Sequence, residues 1–286
     1  MAFTGSSDAS LPSFFTTHNL TTSDLPLCLS FARSRFPLHE IEALPSWSQG
    51  ACSFTVSCCK GESDGVEEDA IVQFRVLRHA VSARIAEDAV RVYGSLAPRV
   101  VLCEELVVGG GRVRLQVLGM RVVQGRRVDS MEVEKTMEMQ RLLRGFARFF
   151  AVGWEGRGGD MNGKIGSTIL QRLGWLEERL PEAWMRRRAK EVRIAVEEGG
   201  LDALPVVLNH GDLLPSNTMV DEEMRLTGLV DWAEAEYLSF GVSLYGVEHL
   251  LGRMIHATEC GRRICRFEYH QDAPNLRRHF WNCLLA

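Results

Sequence analysis

The sequence between His210 and Asp231 contains the kinds of side chain that phosphoryl transfer requires. His210, Asp212 and Asn217 follow one another in the order His-x-Asp-x4-Asn, and Asp231 comes at the end of an apolar run. Transfer of the γ-phosphoryl group of a nucleoside triphosphate needs a carboxylate that accepts the hydroxyl proton. It also needs oxygen ligands that hold Mg²⁺ against the phosphates. We therefore interpret Asp212 as the base and His210 as a second catalytic residue, in a catalytic loop that begins at His210. Asn217 and Asp231 are interpreted as metal ligands.

Short apolar runs on both sides of this loop predict the strands that position it. The predicted elements are a strand at 204–208 and a hairpin of two strands at 218–220 and 226–230. Asp212 and Asn217 then share one loop and Asp231 follows the second strand of the hairpin, so that their oxygen atoms can converge. Isolated Asp and Asn residues more often cap turns and strand ends. The combined order and spacing favour the catalytic interpretation.

Two longer stretches resemble the aminoglycoside phosphotransferase and choline kinase-like family, particularly its fungal members. They are residues 209–217 (NHGDLLPSN) and 228–236 (GLVDWAEAE), and the second continues into 239–246 (SFGVSLYG). The resemblance extends over residues 49–252 and implies an α+β, two-lobed, protein-kinase-like fold. Its small N-lobe would be antiparallel β, and its larger C-lobe mainly helical. The resemblance also implies that ATP and Mg²⁺ serve to phosphorylate a hydroxyl group of a small-molecule acceptor.

The loop before the first predicted strand is the candidate phosphate loop. Alternating apolar residues over 52–58 predict a half-buried strand. In the family the preceding loop lies over the ATP phosphates, and here that loop consists of Gly50, Ala51, Cys52 and Ser53. An ordinary hairpin turn is the alternative interpretation.

A cation is expected on the next strand, predicted at 70–77, to hold the α- and β-phosphates. The lysine of the family is absent there. Arg75 is the best replacement because it is the positive residue on the strand face that also carries Gln73. Arg78, Gln73 itself, and an exposed arginine on an edge strand remain as alternatives.

Two further nucleotide contacts follow from the resemblance. A helix predicted at 82–93 contains Glu87, the first acidic residue that could pair with the strand cation, with Asp88 and simple solvent exposure as alternatives. A hairpin predicted at 100–118 ends at Gly119 and Met120. The family binds adenine through backbone groups at this position.

Residues 131–255 contain predicted helices and candidate contacts to the acceptor. Helical patterns cover 131–152, 167–180, with Trp184 as a possible extension, and 243–255. Glu234 and Glu236, together with Glu248, lie just beyond the metal ligand Asp231. They are candidates to receive an amine of the acceptor, or else surface charges.

The composition is that of a globular protein, with 286 residues, 45% hydrophobic residues and a formal net charge of −4. No basic excess indicates nucleic-acid binding, and residues 1–27 resemble neither a signal peptide nor a membrane anchor. We expect a cytoplasmic protein with a flexible lead-in at 1–27, an N-lobe at 28–121 and a C-lobe at 122–286. The eight cysteines lack zinc-like spacing and are interpreted as reduced, mostly structural thiols. No oligomeric state is assigned.

Two other protein classes compete with this interpretation. A protein kinase would carry an activation segment ending in Ala-Pro-Glu and several further helices after the metal ligand. This chain has no such tripeptide, and 286 − 231 leaves 55 residues after Asp231. A catalytically silent, kinase-fold nucleotide- or metabolite-binding protein is favoured by the missing lysine. The complete set of Asp212, Asn217 and Asp231 favours the enzyme.

Overall fold

The computed structural model describes residues 13–45, 49, 52–60, 68–131, 136–157, 167–259 and 262–286. Two compact units make up the chain, Met1–Glu87 with Pro98–Val122 and Asp88–Ala97 with Val123–Ala286. Residues 88–97, predicted to belong to the N-lobe, therefore group with the second unit. Aromatic packing explains this, because Tyr93 stacks on Phe149 with ring centroids 4.4 Å apart and lies 5.3 Å from the ring of Trp232.

The described part of the first unit is built on an antiparallel sheet in the strand order β1-β2-β3-β5-β4. Its elements are α1 (Ser13–Thr17), α2 (Asp24–Arg35), β1 (His39–Ala43), β2 (Ser53–Lys60), β3 (Ala70–Val76), β4 (Val100–Val108) and β5 (Val113–Arg121). Helix α3 (Ala83–Tyr93) begins in this unit and ends in the second. The strands predicted from alternation are present. Because β3 lies in the middle of the sheet, the interpretation of Arg75 as an exposed residue on an edge strand is wrong.

The predicted flexible lead-in at 1–27 is wrong from residue 13 onwards, and residues 1–12 lie outside the described chain. Phe14 and Phe15 of α1 are fully buried, and the ring of Phe15 lies 5.0 Å from that of Phe54 on β2. At the start of α2, the Asp24 carboxylate accepts a hydrogen bond of 2.7 Å from the backbone N–H of Gly109. This segment is therefore part of the core of the first unit.

The end of the β4–β5 hairpin differs from the prediction. Strand β5 continues to Arg121, so Gly119 and Met120 lie inside the strand rather than at its exit. Gly119 is paired with β3 on one side and with β4 on the other. A β-carbon at Gly119 would lie 2.8 Å from the β-carbon of Leu102, so glycine permits close packing here. Gly119 and Met120, whose backbone groups are predicted to bind adenine, thus pair with a neighbouring strand on each side.

The second unit contains most of the helices described. Its elements are β6 (Arg126–Arg127), α4 (Thr136–Glu155), α5 (Ser167–Arg179), α6 (Ala183–Glu197), β7 (Val206–Asn209), β8 (Thr218–Val220), β9 (Leu226–Leu229), β10 (Glu236–Ser239), α7 (Tyr245–Leu250), β11 (Gly252–Glu259), β12 (Arg262–Tyr269) and α8 (Ala273–Leu285). The small sheets β6-β8-β9 and β10-β7 flank the catalytic loop in the sequence. Helix α4 packs on α8, with the rings of Phe150 and Phe280 6.0 Å apart.

Two helix predictions in this unit need correction. Trp184 does not extend α5 beyond Pro181, because a separate helix, α6, begins at Ala183. The helix predicted at 243–255 ends at Leu250, and the chain then forms the β11–β12 hairpin. Gly252 begins β11, and a β-carbon there would clash with the backbone oxygen of Glu268, so glycine permits the close pairing of the two strands.

The described cysteines are free thiols, and Cys260 lies outside the described residues. Burial raises the pKa of Cys28 and of Cys58 to about 12, so both remain protonated inside the first unit. This agrees with a structural role. Among the described residues, no helix has the length and apolar character needed to cross a membrane.

Candidate active site

The catalytic loop is held between two small sheets of the second unit. Strand β7 enters the loop and pairs with β10, while β8 and β9 form the hairpin that leads to Asp231. Gly211 has φ = +83°, and a β-carbon there would lie 2.0 Å from the backbone oxygen of Glu234. Only glycine fits at this position. The backbone N–H of Val230 donates to the backbone oxygen of Asn217 at 2.9 Å, which joins the loop to the chain just before Asp231.

His210 is a buried, neutral framework residue of this loop. Its side chain is fully buried, and Nε2 lies 2.9 Å from the backbone oxygen of Val230. Nδ1 accepts a hydrogen bond of 3.3 Å from the backbone N–H of Asp212. Because Nδ1 is an acceptor, Nε2 carries the proton and donates it to Val230. Burial lowers the pKa of His210 to about 4, which keeps the ring neutral at pH 7.

Asp212 is oriented by Asn217. The Asn217 Nδ2 group donates to the Asp212 Oδ2 atom at 2.8 Å and to the Asp212 backbone oxygen at 2.9 Å. Partial burial is the main cause that raises the pKa of Asp212, and the nearby carboxylates of Asp231 and Glu234 raise it further. The Asn217 hydrogen bond acts in the opposite direction. The structure thus brings together the predicted base and one predicted metal ligand.

The hydroxyl of Tyr245 fixes the backbone on both sides of Asp212. It donates to the backbone oxygen of Gly211 at 2.9 Å and accepts from the backbone N–H of Leu213 at 3.1 Å. We did not predict this role from the sequence, although Tyr245 lies within the stretch 239–246 that resembles the family. Nothing in the sequence around this tyrosine indicates that its side chain folds back onto the catalytic loop.

Asp231 adopts the left-handed conformation, with φ = +61° and ψ = +66°. This region is uncommon for residues other than glycine, and strain of this kind concentrates at functional sites. The next residue, Trp232, is buried and donates from Nε1 to the backbone oxygen of Leu229 at 2.8 Å. The exposed Asp231 side chain therefore lies within a turn that Trp232 anchors.

The donor set is suitable for Mg²⁺. With Nδ2 of Asn217 hydrogen-bonded to Asp212, Oδ1 is the amide atom that can act as a ligand, and Asp231 offers a carboxylate. Mg²⁺ typically binds to one or two protein carboxylates, and phosphates and water complete its coordination. Asn217 and Asp231 therefore fit as metal ligands.

The acidic residues beyond Asp231 hold an arginine of the same unit. Arg172 of α5 lies 2.9 Å from an oxygen of Glu234 and 3.6 Å from an oxygen of Glu236. The second distance is too long for a hydrogen bond. Glu248 is engaged elsewhere, since both of its oxygens accept from Arg277 at 2.7 Å. Arg172 had no signal in the sequence, because a single arginine on a helix is ordinary.

In the first unit, the start of β2 lies opposite the candidate cation. Gly50 and Ala51 lie outside the described residues, whereas Cys52 is half-buried and Ser53 begins β2. The β2–β3 register pairs Ser53 with Arg75, and both side chains are buried. The end of the candidate phosphate loop and the candidate strand cation are thus neighbours.

The described hydrogen bonds of Arg75 go to its own strand and to the turn that follows it. Its Nε donates to the Gln73 side-chain oxygen at 3.0 Å, and Nη1 donates to the backbone oxygen of His79 at 3.4 Å. Glu87 is exposed, and no ion pair joins it to Arg75 among the described residues. Asp88, the alternative, pairs with Arg91 at 2.5 Å. The described contacts do not join Glu87 to the strand cation, and the pairing stays a prediction.

A model of the phosphotransferase enzyme family, APH, matches residues 66–238, which is more than half of the chain. The chain belongs to this family. Membership makes it a small-molecule kinase whose acceptor is an alcohol group. The resemblance inferred from residues 209–217 and 228–236 is thereby confirmed, while its fungal character stays a prediction. No curated protein sequence matches the chain significantly.

Solved structures confirm the predicted α+β, kinase-like fold of this phosphotransferase. An aminoglycoside-3'-phosphotransferase of type VIII is 16% identical with a TM-score of 0.54, and 90% of each chain is covered. The GDP and kanamycin complex of APH(2")-IIia is 17% identical with a TM-score of 0.54, covering 88% of this chain and 80% of the other. Choline kinase LicA from Streptococcus pneumoniae is 12% identical with a TM-score of 0.51, covering 91% and 80%.

Proposed function

We propose that this phosphotransferase transfers the γ-phosphoryl group of Mg²⁺-bound ATP to a hydroxyl group of a small molecule, with Asp212 as the base. One observation carries the proposal. The Asn217 side chain holds the Asp212 carboxylate, while His210 and Tyr245 hold the backbone around it. A base must be held in a fixed orientation to accept a proton within hydrogen-bond distance of its substrate.

The chain's own groups have distinct tasks in this mechanism. Asp212 accepts the proton of the acceptor hydroxyl as the oxygen attacks the γ-phosphorus, and ADP leaves. His210 stays neutral and holds the loop, so it is a positioning residue rather than a proton carrier. Mg²⁺, held by Asn217 and Asp231, would neutralise charge on the phosphates.

The nucleotide-binding proposal rests on the first unit. Arg75 is the candidate phosphate cation, with Ser53 as its register partner and Cys52 beside it. The structure of APH(2")-IIia was solved with GDP, and that of APH(4)-Ia with ADP and hygromycin B. Both ATP and GTP are therefore donors to test.

A cavity beside the catalytic loop is the proposed acceptor site. It has a volume of about 750 Å³, and Leu214, Pro215 and Ser216 of the loop line one side of it. His249 of α7 and Arg253 of β11 contribute polar groups to its wall. The volume of the cavity is in the range of small-molecule sites. Glu234 and Glu236 are outside the described lining of this cavity, and we propose that they receive an amine of the acceptor. A cationic acceptor would compete with Arg172, whose exposed ion pairs are weak.

The alternative, a catalytically silent nucleotide-binding protein, is favoured by the engagement of Arg75 with Gln73 where the family has a lysine. An acceptor screen separates the two functions. The full chain is incubated with Mg-ATP or Mg-GTP and cationic, neutral and anionic hydroxyl compounds, and phosphorylated products are detected by mass. A product formed by the wild type and absent with Asp212→Asn supports the kinase. Nucleotide binding without any product supports the silent protein.

A further inference from the structure

A second cavity of the second unit has four arginines in its wall. Its volume is about 740 Å³, and the arginines are Arg141, Arg144 and Arg148 of α4 and Arg225, which directly precedes β9. None of the residues of the catalytic loop belongs to its described lining. The phosphotransfer mechanism uses none of these arginines.

The spacing on α4 directs three of the arginines to one side of the helix. Positions 141, 144 and 148 are i, i+3 and i+7, which share a helical face. The opposite face of α4 carries the buried residues of the core, such as Leu142 and Phe146. Gly145 lies among the arginines, and a β-carbon there would be 2.7 Å from the β-carbon of Leu226. Glycine lets β9 approach α4, which brings Arg225 to the same cavity.

The positive charge of this cavity is only partly balanced. Arg225 lies 3.5 Å from Asp221 and 3.2 Å from Glu223, and Arg141 donates to the backbone oxygen of Glu223 at 3.2 Å. Arg144 and Arg148 form no ion pair with any described residue, and no Asp or Glu belongs to the described lining. Like charges on one helical face repel each other, which a bound anion would relieve.

We propose that this cavity binds a small polyanion with two or more phosphate groups, at a site separate from the catalytic loop. The planar guanidinium fork matches phosphate oxygens with two parallel hydrogen bonds. Arg141 and Arg148 are seven residues apart, which corresponds to about 10 Å along a helix, so one small ligand can place different phosphates against different arginines. Ser95 adds a hydroxyl to the wall. The cavity volume is in the range of small-molecule sites.

The test uses tripolyphosphate as the probe. Orthophosphate and sulfate, which each contain a single anionic group, are the comparisons. Calorimetric titrations are carried out on the wild type and on the double variant Arg144→Gln/Arg148→Gln. The matched control is Arg187→Gln/Arg278→Gln, which removes two exposed arginines of α6 and α8 outside the cavity. We expect tripolyphosphate to bind more tightly than orthophosphate or sulfate. The cavity variant should weaken this binding by roughly tenfold, and the control by less than about twofold.

Arginine modification by phenylglyoxal locates the binding independently of the variants. Tripolyphosphate should protect Arg144 and Arg148 from modification, as read by peptide mass, and should leave Arg187 and Arg278 reactive. Equal affinity in the wild type and the cavity variant would overturn the proposal, because the probe would then occupy another site. An equal loss in both double variants would also overturn it, since only net charge would matter. These outcomes do not depend on whether the chain transfers phosphate.

Discussion

His210 shows how one buried side chain links the catalytic loop to stability. The folded protein keeps the ring neutral, because burial lowers its pKa from 6.5 to about 4. Below pH 6.5 the unfolded chain binds a proton that the folded chain does not bind. The contribution to stability is therefore fully present above pH 6.5 and is lost as the pH falls through the folded pKa.

We predict that the free energy of unfolding falls by on the order of 3 kcal/mol between pH 7 and pH 4 through this one group. Urea denaturation at several pH values measures the slope. The variant His210→Gln removes the titration, so its stability should depend less steeply on pH over this range, even if it is less stable overall. Parallel slopes for the two proteins would contradict the neutral, buried state of His210.

At Asp231, the prediction concerns the metal. If its carboxylate binds Mg²⁺, Asp231→Ala should weaken binding of Mg-ATP by about tenfold or more and change binding of metal-free ATP much less. Calorimetric titrations with Mg²⁺ and with a chelator provide the comparison. Glu222→Ala, which removes an exposed carboxylate of the β8–β9 turn, is the control. A loss of the same size with and without metal would leave Asp231 as a structural strand end.

Strands β2 and β3 act as one element at the candidate phosphate cation. Their register sets Ser53 opposite Arg75, and Gln73 on the same strand accepts from the Arg75 guanidinium. Arg75→Lys should retain part of the Mg-ATP affinity, because the positive charge remains while the fork of donors is lost. Arg75→Gln should lose more, about tenfold or greater. Circular dichroism verifies that each variant is folded.

Arg78→Gln completes that experiment, since Arg78 was the alternative cation. Its side chain is exposed and donates to His79 and contacts His18 in the first unit. Unchanged affinity in Arg75→Gln together with weakened affinity in Arg78→Gln would transfer the role to Arg78. The opposite pattern is the one that the β2–β3 register predicts.

Helix α1 gives a test of the packing that the sequence pattern did not reveal. Phe15 is fully buried against Phe54, so Phe15→Ala should lower the free energy of unfolding by about 3–5 kcal/mol. Leu27→Ala is the control within the same predicted lead-in, because Leu27 is 49% exposed. Its effect should be within about 0.5 kcal/mol. Chemical denaturation measures both, and a negligible effect of Phe15→Ala would restore the flexible lead-in.

Elements whose apolar residues recur with a regular period can be predicted from the sequence. Elements that depend on contacts with residues distant in the sequence cannot. The sequences of β2 and β3 alternate and α4 carries a long apolar stripe, so the local patterns predict these elements. The prediction that β2 is half-buried is wrong for its first half, because Ser53 and Thr55 are buried as well. Helix α1 has only five residues, and its two phenylalanines are buried only because they pack against the sheet. The predicted helix at 243–255 includes the first residues of β11, because a short apolar run fits either period.

The residues of the candidate site divide in the same way into those that the sequence predicts and those that it does not. Asp212, Asn217 and Asp231 were found from order and spacing, because the chemistry requires those residue types close together in sequence. Tyr245 reaches the catalytic loop and Arg172 reaches Glu234 from distant elements through tertiary structure, which no local pattern encodes. Glu87 is predicted from its position in the sequence alone, and it is exposed to solvent.

For the whole molecule, the proposed tasks divide between the two units. The candidate phosphate cation and the described part of the candidate phosphate loop belong to the first unit, and Asp212, Asn217 and Asp231 belong to the second. Removing the base should therefore affect transfer without affecting the groups that are proposed to hold the nucleotide. Binding and transfer can be measured separately on one variant.

The most direct test of the account is the variant Asp212→Asn, assayed with an acceptor that the wild type phosphorylates. The amide keeps the size of the side chain but cannot accept the hydroxyl proton as a carboxylate does. We predict that the rate of transfer falls by about two to four orders of magnitude. The affinity for Mg-ATP should stay within about threefold of the wild type. A variant that transfers phosphate at the wild-type rate would contradict the assignment of Asp212 as the base, and with it the proposed mechanism.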